Sequence, residues 1–347
     1  MKAFTKEAHK NIVGYEAVRT AAKDYENYSS DLQGDRDVRD YRQIPLEVDP
    51  PKHTDYRHAV QSVFLRPKLE ALLPDFEKTA EDLLNNLLQN KKSFDVYDDL
   101  ALPFVVGCLS IIYARPQDKD EWISWGPDVW TAAGPTRDGA VLHEYLNRVF
   151  SEPEGSDDIW GQLRAMRPSG EKITESEFKG YAGVLLAGGR DTVIKLISGM
   201  MWHLLKVPQD ADKIATQPEL ERNLINEMLR FLSPLPAIER INPKTFNPEN
   251  PEYLRLHFAS ANHDPTEWDS PDEVNLERGR KPHLAFGYGP HTCLGMNLAE
   301  YEAKAFLKKF MPLRNRFKLE NYELEFNEVE GIKYLENLKH LRVGVLA

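Results

Sequence analysis

Over residues 67–90 the apolar side chains Leu72, Leu73, Phe76, Ala80, Leu83, Leu84, Leu87 and Leu88 return every three or four positions, the period of a helix with one buried face. Residues 100–113 are apolar on nearly every side, which predicts a helix enclosed by protein, with Cys108 an inert member of its core. Shorter helices are predicted over residues 15–25 and 141–150. Thr174 and Glu177 form a capping box, and the helix it opens runs to Lys206, just before Val207-Pro208. About 32 residues at 1.5 Å each would span roughly 48 Å, the thickness of a whole domain. Pro218 sits at the first position of another helix, which ends at Ser233-Pro234. A last amphipathic helix is expected over residues 298–310. Strand-like stretches are few: residues 94–97 early, then 253–258, 322–326 and 340–346. Residues 27–51, 261–265 and 268–280 carry no sustained period. The pattern predicts a mainly α protein with a minor β part (α+β) near its C-terminal third.

Composition narrows the function more than the fold. No Gly/Ser linker or repeat divides the 347 residues, so residues 1–347 are read as a single domain. No apolar run reaches 18 residues, and Met1 to Lys6 lacks the apolar core of a signal peptide, so a cytoplasmic protein without a membrane span is expected. The two cysteines, Cys108 and Cys293, exclude a disulfide framework, a four-cysteine zinc site and a cysteine-ligated iron–sulfur cluster supplied by this chain alone. A net charge of −11 argues against general nucleic-acid binding.

Candidate chemistry gathers at residues 283–295, His-Leu-Ala-Phe-Gly-Tyr-Gly-Pro-His-Thr-Cys-Leu-Gly. Glycine-rich backbone can donate N–H groups to the sulfur of Cys293, and the dipole of the helix that follows favours the thiolate. Such a thiolate can attack carbon, exchange with a disulfide, or bind a metal. His53 and Arg57 lie four apart on the helix opened by Asp49-Pro50-Pro51, and two cationic groups side by side ask for an anion, although a solvated face is the plainer reading. The long helix is weakened at its midpoint by Gly188-Gly189-Arg190-Asp191-Thr192, where each poor helix former costs up to about 1 kcal/mol. That suggests a site, with close helix–helix packing the rival reading. Glu227 and Arg230, three apart, can pair. Trp122, Trp125 and Trp130 cluster around Gly126-Pro127 with a second break over residues 132–135, and roofing a pocket or ordinary packing explains them equally well.

Phe286, Gly289, Cys293 and Gly295 fit the F-x-x-G-x-x-x-C-x-G signature of the haem-thiolate monooxygenases, and the chain resembles that cytochrome P-450 family, in its soluble bacterial form, from end to end. Gly188 to Thr192 resembles the family's distal acid–alcohol motif, and Glu227/Arg230 its E-x-x-R pair, in family order. The resemblance implies a cytochrome P-450 fold with a long central distal helix and a cysteine-ligand loop. It implies haem b as cofactor, with Cys293 as the proximal iron ligand and Phe286 beside the sulfur. His53, Arg57, Arg240 and His291 become partners of the haem propionates, which supplies the anion missing at His53 and Arg57. Glu227 and Arg230 become a structural pair. Asp191 and Thr192 become the acid and alcohol that move protons during oxygen activation, with Gly188 giving room beside the haem. Val184, Ala187, Leu235, Ala237 and Ile238 become candidate substrate contacts.

The chain departs from the family by beginning near the second helix, by a compact segment at residues 133–156, and by a short connection at 242–251. The expected enzyme is a monomeric monooxygenase that uses dioxygen and electrons from a separate ferredoxin or flavodoxin-type partner, acting on a small hydrophobic organic substrate. Lys304, Lys308 and Lys309 on one helix fit a docking patch for an acidic ferredoxin and, equally, a solvated face. A peroxide-driven peroxygenase, or another haem-thiolate reaction without net oxygen insertion, is the alternative, and a non-catalytic haem-binding protein a third reading. No nearby motif supplies a catalytic base or a resolving cysteine, so Cys293 reads as a metal ligand.

Overall fold

The computed structural model describes residues 9–32, 41–125, 137–153, 156–168, 170–247, 249–279 and 281–346, with backbone alone for 137–140. Trp130, the breaks at 126–127 and 132–135, and part of the polar stretch 27–51 lie outside the described residues. Helices α1 (Tyr15–Ala21) and α2 (Lys52–Gln61) precede α3 (Arg66–Asn90) and α4 (Leu102–Ile112). Then follow α5 (Lys119–Ser124), α6 (Arg137–Phe150), α7 (Ile159–Ala165), α8 (Glu175–Gly188) and α9 (Asp191–Lys206). The series closes with α10 (Pro208–Thr216), α11 (Leu220–Leu232), α12 (Phe258–Asn262) and α13 (Met296–Phe310).

Strands β1 (His9–Ile12), β4 (Tyr253–Leu256) and β3 (Ile238–Arg240) form one sheet in that order, β1 parallel to β4 and β3 antiparallel to it. Strands β2 (Ser93–Asp95), β6 (Ile332–Val345) and β5 (Phe317–Val329) form a second, antiparallel sheet. The two late strands are longer than the pattern predicts, because charged residues occupy both faces of an exposed hairpin and hide its alternation.

The core follows from the helix patterns. In α3, Leu69, Phe76, Ala80, Leu84 and Leu87 are buried at helical spacing and pack in one cluster with Ala303, Phe306 and Phe310 of α13. Each such side chain contributes on the order of 1.5–3 kcal/mol by leaving water. Helix α4 is buried on nearly every side, Cys108 included, as its composition requires.

The element expected as one helix over residues 174–206 keeps both ends but not its continuity. At its start the Thr174 hydroxyl accepts from the Glu177 N–H (3.2 Å) and the Glu177 carboxylate accepts from the Thr174 N–H (2.8 Å), closing the capping box. At the middle it is interrupted: Gly189 ends α8 and Arg190 caps α9. Two glycines weaken the ladder there, and Arg190, buried, sends its guanidinium to the Trp125 carbonyl (2.9 Å). The Thr192 hydroxyl turns back onto the Gly188 carbonyl across the break (3.1 Å). A second difference is α12, where irregular chain is expected; five residues are too few for a helical period to show.

Gly199 is where α9 crosses α11. An added Cβ would sit 2.4 Å from Cδ1 and 3.2 Å from Cγ of the buried Leu232, so the neighbour cannot clear it by a methyl rotation alone. Gly199→Ala is expected to destabilise the fold by about 1–3 kcal/mol, read as a lower thermal-unfolding midpoint by circular dichroism.

Candidate functional site

The loop that presents Cys293 is built from backbone constraints. Gly287 and Gly289 have φ of +68° and +75°, a region side chains avoid. At Gly289 a Cβ would also meet the Ala22 carbonyl oxygen at 2.6 Å. The loop closes when the Cys293 N–H donates to the Phe286 carbonyl (2.8 Å), and Gly295 then caps α13. Phe286 itself packs against the main core. The Cys293 side chain keeps accessible surface even though protein crowds it closely, so its sulfur opens on an interior space. Burial pushes the thiol up, while the Gly295 and Met296 backbone N–H groups and Arg57 pull it down. The loop N–H groups thus act in the expected direction against burial, and a metal ion is the agent that deprotonates such a ligand outright.

A cationic rim adjoins the sulfur. The His53 and His291 rings stand 4.3 Å apart, and Nε2 of each is buried without a hydrogen-bond partner. Asp49 Oδ1 stands 3.8 Å from His291 Nε2, too far to bond. Burial, then His291, pushes His53 down to about 4. Arg57 is held below its usual value by burial, with only Cys293 opposing. Arg240 is buried, its guanidinium donates to the Glu239 carbonyl (2.7 Å), and desolvation lowers it to about 10. Two orphaned imidazole nitrogens and two desolvated guanidinium groups beside one accessible sulfur fit a group that combines a metal centre with peripheral carboxylates. Haem meets that description, and the residues fit it.

Across the site, the open positions of α8 and α9 fall on one stripe: Val184, Ala187, Gly188, Asp191, Thr192 and Lys195, between the buried Leu185, Leu186, Val193, Ile194 and Leu196. A Cβ at Gly188 would meet nothing within 4 Å. Asp191 is 40% exposed and lies 3.8 Å from Arg190 Nε. Ala237 and Ile238 wall a cavity of about 430 Å³ that Leu235, Val184 and Ala187 do not line; Leu235 is instead surface-exposed.

Beneath the loop, Arg230 is wholly buried. It donates twice to Glu227 (2.8 and 3.0 Å) and onward to the carbonyls of Asn262, Pro271 and Glu273 (2.8–2.9 Å). Glu227 also accepts from Arg278 (2.9 Å) and from the Asn275 N–H (3.1 Å). The Asn262 amide oxygen accepts the Leu284 N–H (2.7 Å) at the start of the cysteine loop. Asn262, Arg278, Lys195 and the buried Glu302 of α13 were not singled out by sequence, since none lies in a local motif. Of the three α13 lysines, Lys308 pairs with Glu77 (2.8 Å) and Lys309 with Glu81 (3.2 Å), which neutralises much of the expected basic patch.

Fold and site together define a mainly helical protein with an accessible cysteine sulfur beside a buried cluster of two histidines and two arginines. The family model described as Cytochrome P-450 matches residues 157–329. The mycinamicin VIII C21 methyl hydroxylase of Micromonospora griseorubida is 29% identical over 294 residues, 81% of this chain and 74% of that one. The biotin biosynthesis cytochrome P-450 of Bacillus subtilis (strain 168) is 26% identical over 314 residues, 85% of this chain and 79% of that one. A solved structure described as a carbohydrate active P-450 aligns with a TM-score of 0.85 and 27% identity, covering 97% of this chain and 92% of that one. This chain belongs to the cytochrome P-450 family and is an oxidoreductase with a haem cofactor. No helix among the described residues is long and apolar enough to cross a membrane.

Removing one partner of a buried ion pair leaves the other charge uncompensated. Glu227→Ala is expected to cost about 3–5 kcal/mol, measured by equilibrium chemical denaturation. His263 makes a pH prediction. Burial, helped by Arg230 against the Ala259 carbonyl, lowers it to about 4. The unfolded chain takes up this proton near pH 6.5, so it holds more protons than the folded chain between those values. Stability is therefore full above pH 6.5 and falls as pH drops toward 4, by on the order of 3 kcal/mol in all. His263→Phe should flatten that slope in a pH series of denaturation curves.

Proposed function

We propose that this chain is a cytoplasmic, monomeric haem b monooxygenase that hydroxylates the apolar part of a small organic substrate, drawing electrons from a separate ferredoxin or flavodoxin-type protein. The observation that carries this is the accessible Cys293 sulfur beside two buried histidines with unpartnered Nε2 atoms and two desolvated arginines, with Asp49 the carboxylate among their electrostatic neighbours. Family membership supports the same chemistry, since the relative from Micromonospora griseorubida is named as a methyl hydroxylase.

When bound, haem supplies the redox-active iron for dioxygen activation, and a thiolate ligand feeds it electron density. Cys293 is the proposed ligand, with Phe286 limiting water at the sulfur. His53, Arg57, Arg240 and His291 hold the propionates by charge-assisted hydrogen bonds. Gly188 leaves the space that any side chain would fill. Asp191, partly exposed, carries protons inward, with Arg190 Nε 3.8 Å from its carboxylate. The Thr192 hydroxyl spends its own proton on the Gly188 carbonyl, so its lone pairs are turned to receive a water or substrate O–H from the pocket. Val184 and Ala187 give the reacting end of the substrate an apolar wall.

The reduced carbon monoxide complex is expected to show the red-shifted Soret band of thiolate ligation, and Cys293→Ser to abolish it. A histidine-type spectrum in the unaltered protein would sink the reading. Thr192→Ala and Asp191→Asn should each lower product formation by roughly a hundredfold and raise the share of electrons lost to hydrogen peroxide. Unchanged coupling in both variants would remove them from proton delivery.

A further inference from the structure

The cavity walled by Ala237 and Ile238 is mixed in character. Beside Leu32, Leu46 and Pro236 it carries Glu47, Glu239, Arg255, Asn327, Tyr334 and Glu336. Register explains how they meet. Glu239 of β3 lies opposite Arg255 of β4, and the two form a cross-strand ion pair of 3.0 Å. Asn327 of β5 lies opposite Tyr334 of β6, and Glu336 follows at a β-bulge, unpaired between Leu335 and Asn337. Polar pairs from two separate sheets thus confront each other across one space of about 430 Å³.

We propose that this cavity is a subsite for a neutral, hydroxyl-rich head group, of the saccharide or polyol class, on an otherwise apolar substrate. The inference rests on the monooxygenase reading of the adjoining site and names its substrate class. Carboxylates accept from hydroxyls, while guanidinium and amide groups donate to them, and the cavity offers both kinds. Hydrocarbon laid over these groups would remove their remaining contact with water and offer no hydrogen bond in return. A polar wall of this kind selects for a ligand hydroxyl much more sharply than an apolar wall selects for a methyl. An anionic head is disfavoured, because three carboxylates (Glu47, Glu239, Glu336) face two guanidinium groups (Arg240, Arg255), and Arg240 also serves the cationic rim.

The cavity also belongs to the reaction geometry. Arg240 is shared between the cavity wall and the rim beside Cys293. The Glu336 carbonyl accepts from Lys195 Nζ (2.6 Å), and Lys195 lies on the open stripe one turn beyond Thr192. A head group seated against β6 is therefore held at a fixed distance from the helix that carries Asp191 and Thr192.

The test uses the haem-loaded protein and four probes that share one octyl chain: octyl glucoside below its micelle concentration, 1-octanol, octyltrimethylammonium and octanoate. Binding is read twice, by the spin-state shift of the Soret band and by titration calorimetry, which does not depend on the iron. Octyl glucoside is expected to bind about tenfold more tightly than 1-octanol. Asn327→Ala and Glu336→Gln, the latter keeping the carbonyl that Lys195 holds, should each erase most of that advantage and leave 1-octanol unaffected. Equal affinity for glucoside and alcohol, preference for the ammonium or the carboxylate, or a loss spread evenly over all four probes would each overturn the subsite. The carbon monoxide spectrum separates the two readings: a thiolate band without glucoside preference refutes the subsite alone, and glucoside preference without that band refutes the monooxygenase alone.

Discussion

A sulfur atom that must meet a metal inside a protein has to be surrounded without being covered, and most of this molecule answers that demand. Covering is avoided by backbone: Gly287 and Gly289 take left-handed conformations, and the second passes so close to Ala22 that no side chain fits. Surrounding is supplied by α13 behind the loop and by the α3–α4 core behind that. The crowding has an electrostatic cost, since it favours the neutral thiol. It also places the two nearby histidines and two arginines where burial works against their charge. Each group is poorly placed alone, and the anionic, metal-bearing cofactor proposed for this site would relieve all of them.

Those parts of the site that depend on neighbours in sequence were legible in the chain. The cysteine loop and the Glu227/Arg230 pair are local spacings, and His53 and Arg57 share a face because helices repeat every 3.6 residues. The weakness of the 174–206 helix at its midpoint was visible as well, but the break was not. It depends on Arg190 reaching the Trp125 carbonyl, a contact 65 residues away in sequence. The polar cavity was wholly hidden for the same reason. Its walls come from residues near 47, 239, 255 and 327–336, and no period connects them. Strand length was underestimated where the hairpin is solvated on both sides, and α12 was too short to leave a pattern.

The two sides of the proposed pocket differ in character. The α8–α9 stripe offers Val184, Ala187 and an empty Gly188 face, which suit hydrocarbon. The β3–β4 and β5–β6 walls offer charges and amides, which suit hydroxyls. Sequence alone suggested a hydrophobic ligand because the motifs it could read all lie on the helical side. The β walls make that description incomplete: the apolar demand applies at the reacting end.

Arg230 grips its surroundings mostly through main-chain oxygen. Besides Glu227 it holds the carbonyls of Asn262, Pro271 and Glu273, and a carbonyl is present whatever side chain the residue bears. A change of side chain at the exposed Glu273 therefore leaves that grip in place, whereas Asn262 is committed twice, its carbonyl to Arg230 and its side chain to Leu284. One buried arginine thus fastens the segment by its main chain, and one asparagine passes that anchorage on to a loop whose glycines leave little room for side chains.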